Sequence, residues 1–215
     1  MDSPLKPPIQ KLEKKSRILL LSILFALSFR NMGLSIINIG LPDFIQLLSG
    51  SLISYGLVIG IFSIMQSIFQ FPIAAASDKY GRRIVVLIAM TIYMTGTFLC
   101  FTAQNIPQLI IYRAIQGVGA YTSILQAIIG DIYRKEQHGK GMGYYSLSIN
   151  LGYLGGIILG GYISSYLGFR NIFLISGILI LLSTIFLIIV FKDNNPENIN
   201  NYPENSENAR MTLNK

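Results

Sequence analysis

Six long apolar runs, parted by short polar stretches, organise this 215-residue chain, at roughly 18–41, 52–75, 84–103, 108–129, 142–166 and 172–191. Each is about 20 residues or longer, enough for an α-helix to cross about 30 Å of hydrocarbon. The first run carries Arg30 and Asn31 near its centre and has no small-residue cleavage site after a short apolar core. It therefore reads as a retained membrane helix and not as a signal peptide. The predicted fold is all-α and integral to the membrane: a six-transmembrane-helix bundle over 18–191, behind a short N-terminal segment at 1–17. From 192 to 215 the composition turns abruptly to Asn, Pro and Glu, which bury little apolar area, so a disordered tail is expected.

Composition sharpens this picture. Hydrophobic residues make up 52% of the chain and charged ones only 13%, where a soluble domain carries about 25% charged residues. A soluble enzyme of ordinary type is excluded. With one cysteine (Cys100) and one histidine (His138), the chain has no means of forming an internal disulfide or a Cys/His metal cluster. No cofactor is implied. His138 lies in a basic loop, so no membrane-buried Ser/His pair is available for a protease.

The net charge of +7 forms no continuous stripe of the kind nucleic acid would require. Lys6, Lys11, Lys14, Lys15 and Arg17 precede the first run; Lys79, Arg82 and Arg83 join the second to the third. Arg134, Lys135 and Lys140 join the fourth to the fifth, and Lys192, Arg210 and Lys215 follow the sixth. The opposite loops hold only Arg170, so the positive-inside bias places both termini in the cytoplasm of a multi-pass cell-membrane protein. Arg30 and Arg113 fall inside runs, at similar depths, where a charge costs several kcal/mol unless it faces a cavity or a partner. Neither has an Asp or Glu within the runs at that depth. That leaves an anionic substrate, a counter-charge from another half, or neutral oxygens as the balancing group.

The stretch 74–83 resembles 161–170 at an offset of 87, with Ser77, Gly81 and Arg83 over Ser164, Gly168 and Arg170. Three runs separate the copies, and an odd number reverses orientation, so the expectation is two inverted three-helix repeats.

The loop after the second run, with Asp78, Lys79, Gly81, Arg82 and Arg83, resembles the signature loop of the major facilitator superfamily, with Ala74 in place of that pattern's first glycine. Arg113, Gln116, Gly117, Gly119 and Ala120 match the superfamily's fourth-helix motif. Gly143, Gly152, Gly156, Gly160 and Gly161 follow the antiporter motif of its drug-efflux branches, except that Ile157 stands where those have proline. Asn38, Leu41 and Pro42 are similar to a further efflux motif, although Gly33 replaces an acidic residue of one branch.

The resemblance implies one six-helix half of a secondary-active transporter, closest to the drug/proton antiporters. Its activity would be proton-coupled efflux of small molecules or drugs by alternating access. Loop 78–83 would act as a gate latch, and Arg113 would belong to proton coupling. Arg30, Asn31, Asn38, Gln66, Gln70, Gln116 and Asn150 are candidates for a substrate path. The implied partners are the lipid bilayer, a small-molecule substrate, protons and a second six-helix half, either a second copy or separately encoded.

Plainer readings stay open at each place. Loop 78–83 also serves as topology-setting charge. Gly152, Gly156 and Gly160 share a face, which close helix packing alone explains, and Gly143 points the other way to a different contact. Arg113 hydrogen-bonded to Gln116 would fix helix packing. An importer of sugars or anionic metabolites, and a truncated, non-transporting membrane protein, are the alternative functions. The length of half a transporter fits an interrupted or split gene, a homodimer, or a half with a separate partner.

Overall fold

The structure, a computed structural model, describes residues 14–133 and 137–193. The expectations for Arg134 and Lys135, for most of the N-terminal segment and for the Asn-rich tail past Asp193 lie outside these residues. Seven helices follow in order: α1 (Lys14–Leu47), α2 (Leu52–Tyr80), α3 (Arg82–Thr102), α4 (Ile106–Val118), α5 (Thr122–Ile132), α6 (His138–Tyr166) and α7 (Asn171–Asp193). Five of them, α1, α2, α3, α6 and α7, are long and apolar enough to cross a membrane. The bundle has six spans because α4 and α5 together make the fourth.

That division corrects the expectation of one continuous helix over 108–129. The reason is local. Gly117 and Gly119 each cost about 1 kcal/mol in a helix relative to Ala. A Cβ at Gly119 would lie 2.5 Å from the Tyr93 nitrogen and 2.6 Å from the Ala89 carbonyl oxygen. Close approach to the α3 backbone therefore takes precedence over helix continuity. At the other end of α4, Asn105 accepts a hydrogen bond from the Gln108 amide at 2.9 Å and Pro107 sits in the first turn, a sound N-terminal cap. Helix α1 also exceeds its expected limit, running past Pro42 to Leu47; neighbouring helices make an interior proline tolerable in a span.

The packing repeats itself with the two triplets exchanged. Helix α1 packs chiefly on α6 and α7, α4 packs chiefly on α2 and α3, and α3 meets α7 between them. Helices α2 and α6 have 29 residues each. Each is followed by a glycine with positive φ, 93° at Gly81 and 89° at Gly168, a conformation that suits a residue without Cβ. Those glycines stand 87 positions apart, the offset seen in the sequence. The fold is two inverted three-helix repeats.

The core divides into two apolar clusters. One gathers Leu19, Ile23, Leu27, Tyr93, Tyr121 and Leu125 near the basic end; the other gathers Ile36, Phe44, Cys100, Leu109 and Phe173 toward the far end. Buried polar residues lie between them along each chain segment: Arg30 and Asn31 on α1, Thr97 on α3, Arg113 and Gln116 on α4, and Ser176 on α7. A polar layer thus crosses the bundle at mid-depth. The faces of α2 and α6 turned away from the bundle carry exposed Leu57, Ile64, Phe71, Leu147, Leu151 and Ile158, suited to lipid or to another layer of helices.

Candidate functional site

The polar layer is the most chemically distinctive part of the structure. Arg113 is fully buried, and its Nη1 donates to Gln116 Oε1 at 2.7 Å. Gln116 Nε2 donates in turn to Thr97 Oγ1 at 2.8 Å, and Thr97 Oγ1 donates to the Tyr93 carbonyl at 2.8 Å. This chain of bonds ties α4 to α3 in a medium of low dielectric, where each bond is stronger than in water and each unpaired group costlier. It forms because Gly96 lets α4 come close: a Cβ there would lie 2.5 Å from the Gln116 nitrogen.

Aromatic rings connect Arg113 to the second cation. The Arg113 guanidinium lies 4.6 Å from the Phe62 ring centroid. Phe62 meets Tyr93 edge-on at 6.3 Å, and Tyr93 meets Tyr121 edge-on at 5.7 Å. Arg30 sits over both tyrosines, 5.3 Å from one centroid and 5.7 Å from the other. Ring faces are negative, so these contacts replace part of the hydration each guanidinium has lost. Arg30 Nε, Arg113 Nε and the hydroxyls of Tyr93 and Tyr121 are buried without a hydrogen-bond partner among the described residues. Asn31 is occupied, its Nδ2 donating to the Leu27 carbonyl at 2.8 Å.

The candidate path residues do not converge on one place. Arg30, Asn31, Arg113 and Gln116 are inside the bundle, while Asn38 and Gln66 are half-buried and Gln70 and Asn150 are exposed. Asn150 Nδ2 donates to the Ser146 carbonyl of its own helix at 2.8 Å. Hydropathy along a run gives depth, not direction around the helix, and so grouped the two sets together.

The second feature is loop 78–83. Arg82 Nη1 donates to Asp131 Oδ2 at the end of α5, and Arg82 lies 3.8 Å from Asp78 in an ion pair. The Lys79 ammonium stands 5.2 Å from the Tyr80 ring centroid. Arg83 has no hydrogen-bond or ion-pair partner among the described residues. Asp131 is a functional candidate outside the motifs read in the sequence. Its signal was an acid within an otherwise basic end.

The glycines separate into two groups. Gly152, Gly156 and Gly160 of α6 face Ser28, Met32 and Ile36 of α1; a Cβ at Gly160 would lie 3.1 Å from the Ile36 Cα, and the other two would meet α1 backbone oxygens. Ser28 Oγ donates to the Ser148 carbonyl at 3.0 Å across this seam. Gly117 is equally tight, 2.6 Å from the Phe62 carbonyl oxygen. Gly143 and Gly161 do not pack within this bundle: nothing lies within 4 Å of a Cβ at either among the described residues. They face away from their own bundle.

A family model for the Major Facilitator Superfamily matches residues 23–213. The chain belongs to the major facilitator superfamily. It is 30% identical over 150 residues to an uncharacterized transporter of Buchnera aphidicola subsp. Schizaphis graminum, covering 70% of this chain and 38% of that one. It is 28% identical over 124 residues to the inner membrane transport protein YajR of Escherichia coli, covering 58% and 27%. It is 35% identical over 119 residues to multidrug resistance protein 3 of Bacillus subtilis, covering 54% and 23%. Among solved structures, the human organic anion transporter MFSD10 superposes with a TM-score of 0.72 at 18% identity, covering 86% of this chain and 48% of that one. A bacterial homologue of the human lysosomal transporter Spinster, inward-facing and unoccupied, gives 0.73 at 20% identity, covering 84% and 44%. The chain spans less than half the length of these proteins. Membership of this superfamily, several apolar spans and a bundle of this fold make it a multi-pass membrane protein.

Proposed function

We propose that the chain is the N-terminal six-helix half of a secondary-active transporter that couples proton entry to efflux of small molecules. Its exposed α2 and α6 faces meet a second six-helix half, from another copy or a separate chain, and the two bundles rock about a central path. Both termini lie in the cytoplasm, and loop 78–83 is at the cytoplasmic face of the cell membrane. There Arg82 exchanges its bond to Asp131 for contacts on the opposite half as the gate opens and closes. Arg113 is the coupling group. The observation that carries this reading is a fully buried guanidinium bonded to Gln116, itself bonded to Thr97, with no carboxylate beside it among the described residues, so that small rearrangements at mid-depth change its balance of charge.

Proteoliposomes containing this chain and a co-expressed second half test the reading, with a fluorescent drug probe under an imposed pH gradient. Proton-linked flux is expected, slowed about tenfold or more by Arg113→Ala, since a buried charge-assisted hydrogen bond contributes roughly 1.5–3 kcal/mol. Absent flux, or flux indifferent to that substitution, overturns it. Import of a small solute is a second reading, favoured by Ile157 in place of the antiporter motif's proline. The direction of flux under the same gradient separates the two.

A further inference from the structure

Arg30 and Arg113 share the polar layer but differ in one respect. Arg113 has a protein acceptor, Gln116 Oε1, and is fully buried. Arg30 lies against two aromatic rings, has no hydrogen-bond partner among the described residues, and is 5% exposed. Of the two cations it is the less completely buried. Arg30 and the two tyrosines whose rings it lies against carry three buried polar atoms with hydrogens to donate and no acceptor among the described residues: Arg30 Nε and the hydroxyls of Tyr93 and Tyr121. Buried donors of this kind are rarely left unpaired. Helix α5 begins directly after Tyr121, so the positive end of its dipole lies beside that residue. No carboxylate of the described residues lies in the layer; Asp43, Asp78 and Asp131 are all near helix ends.

We propose that Arg30, Tyr93 and Tyr121 form a subsite for the oxyanion head, a carboxylate or phosphate, of the transported solute. Arg30 Nε and the two phenolic hydroxyls donate to its oxygens, and the guanidinium and the start of α5 balance its charge. The solute is therefore an organic anion. Neutral groups are discriminated against because they leave the donors unmatched. This assignment rests on the transporter reading for its physiological meaning, whereas binding itself does not require flux.

The chain's only cysteine, Cys100, is buried, so a thiol-reactive fluorogenic dye reports unfolding of the full chain in nanodiscs. Sodium benzoate and its neutral isostere benzamide are compared in one sodium chloride background, with phenyl phosphate as the phosphate arm and a sodium chloride titration alongside. At tenfold excess over Kd, benzoate or phenyl phosphate is expected to raise the melting temperature by about 3–6 °C, and benzamide to leave it unchanged. Whichever probe acts identifies the head group. The double variant Tyr93→Phe/Tyr121→Phe keeps both rings over Arg30 and removes only unpartnered hydroxyls. It should melt no lower than the wild type without ligand and lose the rise. No rise with either oxyanion, an equal rise with sodium chloride or benzamide, or a rise retained in the double variant overturns the proposal. Oxyanion stabilisation without flux leaves the subsite standing and removes the transporter reading; flux without oxyanion stabilisation does the reverse.

Discussion

The two turns at 74–83 and 161–170 occupy equivalent places in the inverted repeats, yet they are held in opposite ways. The backbone is shared: Gly81 and Gly168 both have φ near 90°. In the second copy the half-buried Arg170 is tied to the backbone, its Nη1 donating to the Phe101 carbonyl at 2.9 Å and its guanidinium 5.4 Å from the Phe44 ring. In the first copy the half-buried Arg82 bonds another side chain, Asp131, while Asp78 is largely exposed and the half-buried Arg83 is free of partners among the described residues. Duplication kept the turn, and the environment decided what its arginine does. A side chain bound to a backbone carbonyl staples one end of the bundle; side chains paired only with each other leave the other end able to exchange partners.

Substitutions that strain the shared backbone should have the largest effect. Gly81→Ala and Gly168→Ala are each expected to cost about 1–3 kcal/mol, seen as similar drops in the Cys100-dye melting temperature. Unequal drops would break the equivalence of the two turns. Arg170→Ala comes next, losing a charge-assisted hydrogen bond and a ring contact at about 1–2 kcal/mol, while Arg83→Ala stays within about 0.5 kcal/mol. A larger loss at Arg83 than at Arg170 would invert the staple assignment.

A double-mutant cycle of Arg82→Ala and Asp131→Ala should give a coupling of about 0.5–1 kcal/mol. Because the pair is partly exposed, the coupling should shrink when salt is raised from 0.1 to about 1 M. A coupling unmoved by salt would make this end as fixed as the other. Gly161→Ala places in the second turn's helix the residue that Ala74 supplies in the first. With nothing within 4 Å of its Cβ, stabilisation by about 0.4–1 kcal/mol is expected, and a loss would show that another surface covers it.

Much of this architecture was legible in the sequence because membranes reward periodicity and punish charge. Run lengths located the spans, basic loops set the expected orientation, and the 87-residue offset announced the repeat that the packing displays. The gap between α4 and α5 was not legible. It depends on Gly119 meeting Tyr93 and Ala89 on another helix, a contact no single run encodes. Arg30 and Arg113 stood out as costly charges, yet their tyrosine and glutamine surroundings come from three helices meeting. That Gly143, Gly161, Gln70 and Asn150 face outward from this bundle was not legible for a related reason: spacing shows which residues share a face, but not what that face meets.

The polar layer between the two apolar clusters also has a mechanical consequence. Interdigitated apolar side chains resist shear, since each must clear its neighbours before it moves. Hydrogen-bonded groups such as Arg113, Gln116 and Thr97 have further donors and acceptors to turn to and re-pair over short distances. The polar layer is thus the plane of the bundle whose contacts exchange most readily, and the interruption between α4 and α5 lies beside it, while α1, α3 and α7 run unbroken through both clusters and keep them in register.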